Sequence, residues 1–398
     1  MTDAGAPDFE PAESFYGANG ASGASPGQSA GSVNGVPQTA PGPILSPRLG
    51  ASLNESLARA RRRAEGIEKP IPVYLSVLAD HFGGGLWPGL HIINSGTAIG
   101  KTQWVLGQAL HSAKAGVPIL YLGLELGQFE IDLRALGLEA NVPWSHLWSG
   151  KADQEQLRRV EGATVHLGDL PFHCEVARPM GFSAADIRVA IETMRKHYAQ
   201  GPLLVVVDFL QLVGDDLGDE RELRIRIARA SYALRDAANR LGAAVLCISS
   251  VARERYKLLS EIKKAASLSY AVDPDGYPIN RRILDPDAIV GAGKEAGEIE
   301  YSADSVSIIA RVAATSGATG CDVIFATAKG RATGATWSPL HFTGFAYAEC
   351  PDQGAAIVEA WNSADMGCSN ASAASGRPKR TRRAPSSMPM PRPWLPTS

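Results

Sequence analysis

A lysine and a threonine at the mouth of a small-residue loop can hold a polyphosphate, and this chain carries such a pair at Lys101 and Thr102. The stretch His91-Ile-Ile-Asn-Ser-Gly-Thr-Ala-Ile-Gly-Lys-Thr102 starts as a short apolar run, passes through small residues and enters a helical pattern at Gln103. Strand, Gly-rich turn and helix in that order is the layout of a phosphate-binding loop. Backbone N–H groups from Ser95, Gly96, Thr97, Ala98, Ile99 and Gly100, with the positive end of the following helix, make an anion cradle. Gly96 and Gly100 permit a close approach that a side chain would block. Lys101 reaches for the β and γ phosphates, and the Thr102 hydroxyl for Mg²⁺. The loop departs from the usual pattern at one place, where Ser95 stands for the first glycine.

Nucleotide hydrolysis also needs a metal-side carboxylate, a polarised water and charge neutralisation on the γ-phosphate. Asp208, after the apolar run Leu203-Leu-Val-Val-Val207, has the form of the second metal-side group. Glu125 follows the apolar run Val117 to Gly123 and can orient the attacking water. Gln211 or Ser249 can sense the γ-phosphate by hydrogen bonding. Lys329-Gly330-Arg331 lies far along the chain from the cradle. A basic pair there can reach a neighbouring subunit's nucleotide, the arginine acting as a finger supplied in trans.

These residues must be positioned by alternating strands and helices. The pattern predicts an α/β fold with a mostly parallel sheet flanked by helices. Strands are expected at 117–123, 203–207 and 243–248, with 305–312 and 322–327 paired and 337–347 closing the sheet edge. Helices are expected over Gln103–Ala115, much of 129–170, Ser183–Tyr198 with Ser183 as cap, and Glu220–Leu241. Ligands in such sheets bind at the carboxyl ends of the strands. The loop, Glu125, Asp208 and Ser249 all fall there. Residues 251 to about 292 read as a long polar loop.

Outside this region the composition changes. Residues 1–48 are dominated by Gly, Ala, Ser and Pro and read as disordered. Residues 49–72 read as an Arg-rich helix and linker, capped by Ser52-x-x-Glu55 and ended by Pro70 and Pro72. Residues 73–350 form the expected ATPase domain. Beyond Asn362 a polar, Pro-rich tail at 363–398 carries Arg377, Lys379, Arg380, Arg382, Arg383 and Arg392 and reads as disordered.

The formal net charge is −2, so any nucleic-acid site must be a local patch rather than a bulk electrostatic pull. The five cysteines form no C-x-x-C pair, which argues against a zinc site or disulfide framework and fits a reducing cytosol. No basic start with an apolar core marks a secretory signal, and no apolar run approaches the roughly 20 residues of a membrane helix. A cytoplasmic protein without a membrane partner is expected.

Taken together, the motifs resemble the C-terminal motor domain of the DnaB-type replicative helicases, a RecA-like P-loop NTPase family, over roughly Leu75 to Glu349. Ser95-Gly-Thr-Ala-Ile-Gly-Lys-Thr102 matches the end of the family loop. Gly123-Leu-Glu-Leu126 is similar to the family Ser-Leu-Glu-Met, which implies a catalytic role for Glu125. Asp208-Phe-Leu-Gln-Leu212 matches Asp-Tyr-Leu-Gln-Leu, and Ile248-Ser-Ser-Val-Ala-Arg253 resembles Leu-Ser-Gln-Leu-x-Arg, with Ser250 in place of the family glutamine. Lys294-Glu-Ala-Gly-Glu-Ile-Glu-Tyr-Ser-Ala-Asp304 resembles a segment that contacts DNA, which implies nucleic-acid contacts for Lys294, Glu295 and Gly297. Lys329-Gly-Arg-Ala-Thr-Gly334 resembles Lys-x-Arg-x-Gly-x-x-Gly, which implies the trans finger at Arg331 with Lys329 as its partner.

The resemblance implies ATP and Mg²⁺ as ligands, single-stranded DNA as track, a ring homo-oligomer (a hexamer in the family), and a primase or loader as partner. The family's helical N-terminal domain is replaced here by the Gly/Ala/Ser/Pro-rich segment and one Arg-rich helix. The stretch between Arg253 and Lys294 is also longer than in the family. Both departures point to an ATPase of a phage, plasmid or other mobile element. Two further readings compete with a helicase. One is a RecA- or KaiC-like ATPase switch, or recombination mediator, without unwinding. The other is a nucleotide-binding scaffold without turnover.

Overall fold

The computed structural model of the chain describes residues 49–96, 99–176, 182–214, 223–250, 267–274, 278–290, 301–313, 320–350 and 353–362. The expectations for residues 1–48 and 363–398, and for Thr97, Ala98, Lys294, Glu295 and Gly297, lie outside these. The chain divides into two compact units at Ala58/Arg59. Of the first, only the opening turns of helix α1 (Leu49–Ala64) are described. The sheet belongs to the second.

Four strands are short apolar runs rich in Val, Ile and Leu: β1 (Gly89–Ser95), β2 (Ile119–Gly123), β5 (Leu204–Asp208) and β7 (Ala244–Ser250). Continuous runs of this kind suit strands covered on both faces. They pair in parallel in the order β2-β5-β7-β1. β3 (Phe172–Val176) adds in parallel beside β2 and forms one edge, with its side chains alternately half-buried and exposed. β10 (Ser305–Ala313) adds in parallel beside β1. From there the sheet turns antiparallel through β11 (Cys321–Gly330) and β12 (Thr336–Phe342). β12 then pairs with β9 (Pro278–Ile283) and with β13 (Tyr347–Glu349), and β9 with β8 (Leu268–Val272). Two short strands, β4 (Phe182–Ser183) and β6 (Val213–Gly214), pair separately.

The period-2 alternation of the strands divides the core into layers. Leu204 and Val206 face Trp104, Val105 and Ala109 of α2 (Lys101–Lys114). Val205 and Val207 face Ile187 and Ile191 of α6 (Ala184–His197) and Ile227 and Leu234 of α7 (Leu223–Leu241). The Ser183 cap forms as expected, its hydroxyl accepting from the Asp186 N–H at 3.1 Å. Between β2 and β3 the chain runs through α3 (Gln128–Ala140), α4 (Trp144–Trp148) and α5 (Gln154–Gly168). The antiparallel wing has a core of its own, in which Ile308, Ile324 and Trp337 pack with Ile357 and Trp361 of a closing helix (Gly354–Asn362).

Several expectations are corrected here. Helix α1 starts at Leu49, so Ser52 lies inside it and its hydroxyl donates to the Leu49 carbonyl rather than capping the helix. The helix ends at Ala64, ahead of Pro70, and Gly66 follows at φ +68°. Part of the stretch read as loop is the β8–β9 hairpin, followed by a short helix, α8 (Asp287–Val290), which makes the closing helix α9. The sheet edge is therefore β8, not the 337–347 segment, whose strand β12 is paired on both sides.

Candidate nucleotide site

The loop leaves β1 at Ser95, which is fully buried, and meets α2 at Gly100. Gly100 caps α2 at φ +81°, a conformation that an L side chain rarely adopts. A Cβ there would lie 2.5 Å from the Phe342 ring, so the turn needs glycine for space as well as for φ. The ring comes from the antiparallel wing. Next to it, the Tyr347 ring packs at a tilt, 4.8 Å between centroids, and donates its hydroxyl to the Ile99 carbonyl. Strands β12 and β13 thus prop the loop from behind. The first turn of α2 is braced too: Gln103 donates to the Phe345 carbonyl and accepts from Arg134.

The described cradle residues converge with the second carboxylate. Asp208 ends β5 opposite Gly123 of β2, and the Leu124 N–H donates to the Asp208 carbonyl at 2.7 Å. Its side chain, 2% exposed, accepts hydrogen bonds from the Thr102 hydroxyl and, at 3.0 Å, from the Tyr121 hydroxyl. Burial pushes the Asp208 carboxyl above its ordinary value. The Thr102 and Tyr121 hydrogen bonds pull it back, Glu125 pushes it up and Lys101 draws it down. Both Glu125 and Lys101 are therefore electrostatic neighbours of Asp208. Lys101 heads α2 with its Nζ 5.9 Å from the Phe209 ring centroid. Glu125 is exposed on the turn after β2. A carboxylate open to water and close to Asp208 is placed where a water-orienting base is needed. Gln211 and Ser249 are buried and joined, the amide donating to the hydroxyl at 2.9 Å. Ser249 stands in register with Asn94, one residue before the loop.

The donor set fits magnesium. Thr102 and Asp208 offer hard oxygen ligands already within hydrogen-bonding distance of each other, the ligand type that Mg²⁺ takes. Among the described residues no cluster of three His, Cys, Asp or Glu side chains offers an all-protein metal cage. A shared nucleotide–metal site does not need one.

The basic pair lies elsewhere. Lys329 stands in β11 opposite Val306, and Arg331 follows the end of that strand. Arg331 Nε is 3.0 Å from Asp304 Oδ1, and its N–H donates to the Asp304 carbonyl at 2.9 Å. Asp304 in turn accepts from the N–H of Leu90, at the start of β1. Five residue steps of β1, about 17 Å of strand, separate that end from Ser95. The loop, Glu125, Asp208, Gln211 and Ser249 gather at one end of the sheet, and Arg331 sits at the other. Residue type alone does not single out Tyr121, Phe342, Tyr347 or Asp304. The aromatic ones read as plain core in the sequence; a buried tyrosine hydroxyl, which needs a partner, is the available signal.

Comparisons with known proteins bear on the fold and the family. The fold matches a solved ATPase domain with a TM-score of 0.59 at 17% identity, covering 75% of this chain and 98% of that one. It matches a DnaB-like replicative helicase, solved in a study of its interactions with primase, with a TM-score of 0.59 at 16% identity, covering 75% and 66%. In sequence, 223 residues are 26% identical to the replicative DNA helicase DnaB of Leifsonia xyli subsp. xyli, covering 54% of this chain and 47% of the relative. Another match, 23% identical, to the replicative DNA helicase DnaB of Nostoc sp., covers 60% and 27%. The chain thus spans about half or less of the curated relatives it matches. The family model described as the DnaB-like helicase C-terminal domain matches residues 73–273, half of this chain. With a phosphate loop on β1, a buried carboxylate on β5 and that match across both, the chain belongs to the DnaB-like helicase C-terminal domain family.

Proposed function

We propose that the chain is an ATP-hydrolysing translocase that assembles into a ring, a hexamer by family analogy, and moves on single-stranded DNA as a DNA helicase in replication. The observation that carries this reading is the division of the catalytic groups between opposite ends of the sheet. A subunit provides Lys101, Thr102, Asp208 and Glu125 at one end and Arg331 at the other. Its own arginine is about 17 Å of strand away from its own cradle, so the complete site requires a second subunit.

In this reading the cradle backbone and Lys101 hold the β and γ phosphates, and Thr102 and Asp208 hold Mg²⁺. Bound there, the metal would neutralise charge on the phosphates. Glu125 accepts the proton of the attacking water. Gln211 and Ser249 register the γ-phosphate through their shared hydrogen bond. Arg331, with Lys329, enters from the neighbouring subunit and stabilises the charge that develops on the transferred phosphoryl group. Residues 73–350 are the motor domain. Single-stranded DNA contact is assigned to Lys294, Glu295 and Gly297, and a primase or loader is the expected protein partner.

The test is ATP turnover with and without single-stranded DNA, together with strand displacement by the wild type and by Lys101→Ala. The translocase reading expects DNA-stimulated turnover and displacement that Lys101→Ala abolishes. Turnover indifferent to DNA, with no displacement by the wild type, assigns the site to a RecA-like switch instead.

A further inference from the structure

We infer that Asp304 is a positioning residue that fastens the Arg331 finger to the strand carrying the phosphate loop. The inference rests on Arg331 acting in trans as proposed above and adds the residue that aims it.

Asp304 is bound from three sides. Its Oδ1 is 3.0 Å from Arg331 Nε and 3.7 Å from Arg235 Nη2, and its Oδ2 accepts from the Leu90 N–H at 2.9 Å. Its backbone is tied to the same two elements: the Asp304 N–H donates to the Leu90 carbonyl at 2.7 Å, and the Asp304 carbonyl accepts from the Arg331 N–H at 2.9 Å. Gly89 leaves room for this carboxylate, since a Cβ at that position would stand 2.7 Å from Asp304 Oδ2. Gly89 itself sits at φ +148°. The start of β1 is thus shaped around the Asp304 side chain.

A half-exposed arginine has many accessible rotamers. One that must meet a phosphoryl group on another subunit gains from being held in advance. The Nε contact to Asp304 engages the inner edge of the guanidinium. The two Nη atoms, at the outer edge, form a fork that can meet phosphate oxygens.

The experiment is single-turnover and steady-state ATP hydrolysis by the full-length protein as wild type, Asp304→Asn, Asp304→Glu, Arg331→Ala and the double variant Asp304→Asn/Arg331→Ala, with melting temperature and ATP affinity measured alongside. Asparagine keeps an acceptor for the Leu90 N–H and removes the charge facing Arg331 and Arg235. The expected result is an approximately 10- to 100-fold loss of kcat in Asp304→Asn with KM for ATP unchanged, partial recovery in Asp304→Glu, and no further loss when Asp304→Asn is added to Arg331→Ala. Full activity in Asp304→Asn, or the same fractional loss in the Arg331→Ala background as in the wild type, overturns the inference while leaving the trans finger intact. Wild-type turnover in Arg331→Ala overturns the trans finger and the inference with it.

Discussion

The Tyr121 hydroxyl donates a 3.0 Å hydrogen bond to the Asp208 carboxylate, joining two residues 87 positions apart on neighbouring strands β2 and β5. Both are buried, and the phenol holds the carboxylate from beneath while Thr102 meets it from the nucleotide side. Removing the phenol leaves the charged form of Asp208 less well solvated, so its pKa rises. Tyr121→Phe is expected to move the acid limb of the kcat/KM profile for ATP to higher pH and to cost about 1–3 kcal/mol of stability. An acid limb unmoved in the variant contradicts this role.

Burial dominates at Asp208 and raises its pKa in the folded protein. The folded chain then binds this proton more tightly than the unfolded chain does. The stability linked to this group is fully present below the ordinary carboxylate value and is lost as pH rises through the raised folded value. Asp208→Asn removes that loss. Without nucleotide, the variant is expected to melt at or above the wild type near about pH 8, with the difference shrinking towards about pH 4. It is also expected to lose the rise in melting temperature given by Mg-ATP, a ligand stabilisation of about 2.7 kcal/mol at a hundredfold excess over Kd. A variant that melts lower at the upper pH and still responds to Mg-ATP contradicts both points.

Glu125 and Lys101 separate chemistry from binding. Glu125→Gln is expected to bind Mg-ATP as the wild type does and to hydrolyse it about 10²–10⁴ times more slowly. Lys101→Ala is expected to lose affinity itself. Equilibrium binding of a fluorescent ATP analogue beside turnover distinguishes them. Weak binding in Glu125→Gln would show that the exposed carboxylate holds the nucleotide rather than the water.

Gly100→Ala confronts both φ +81° and the Phe342 ring. The expected cost is about 1–3 kcal/mol of stability, with ATP affinity reduced because the loop must shift. Trimming the ring, as Gly100→Ala/Phe342→Ala, recovers part of the affinity if the clash is the cause. Chemical denaturation and ATP titration of both variants check this.

Much of the site is readable in short segments because its chemistry is local. Gly100-Lys101-Thr102, Leu124-Glu125 and Asp208-Phe-Leu-Gln211 each combine a buried apolar run with the polar residue that ends it, and both signals sit within a few positions. The hydrogen bonds that tune these residues join distant segments. Nothing near Tyr121 in sequence indicates Asp208, and nothing near Asp304 indicates Leu90. The antiparallel wing is obscured for a different reason. Asp273-Pro274 and Asp285-Pro286 read as loop, but the first lies between β8 and β9 and the second just past β9, and Leu268 and Ile283 of this hairpin reach the wing core. The Ser52 pattern misleads because Ser52 already lies inside the helix, its hydroxyl donating to the Leu49 carbonyl.

The central claim is that one subunit's cradle is completed by another's arginine, and mixed assemblies test it most directly. Lys101→Ala and Arg331→Ala are each expected to be inactive alone. Mixed and allowed to exchange subunits, they create interfaces in which an intact Lys101 faces an intact Arg331, and ATP turnover is expected to reappear with a maximum near equal proportions. If the mixture stays as inactive as its components while mass measurement shows mixed oligomers, the site is not shared between subunits.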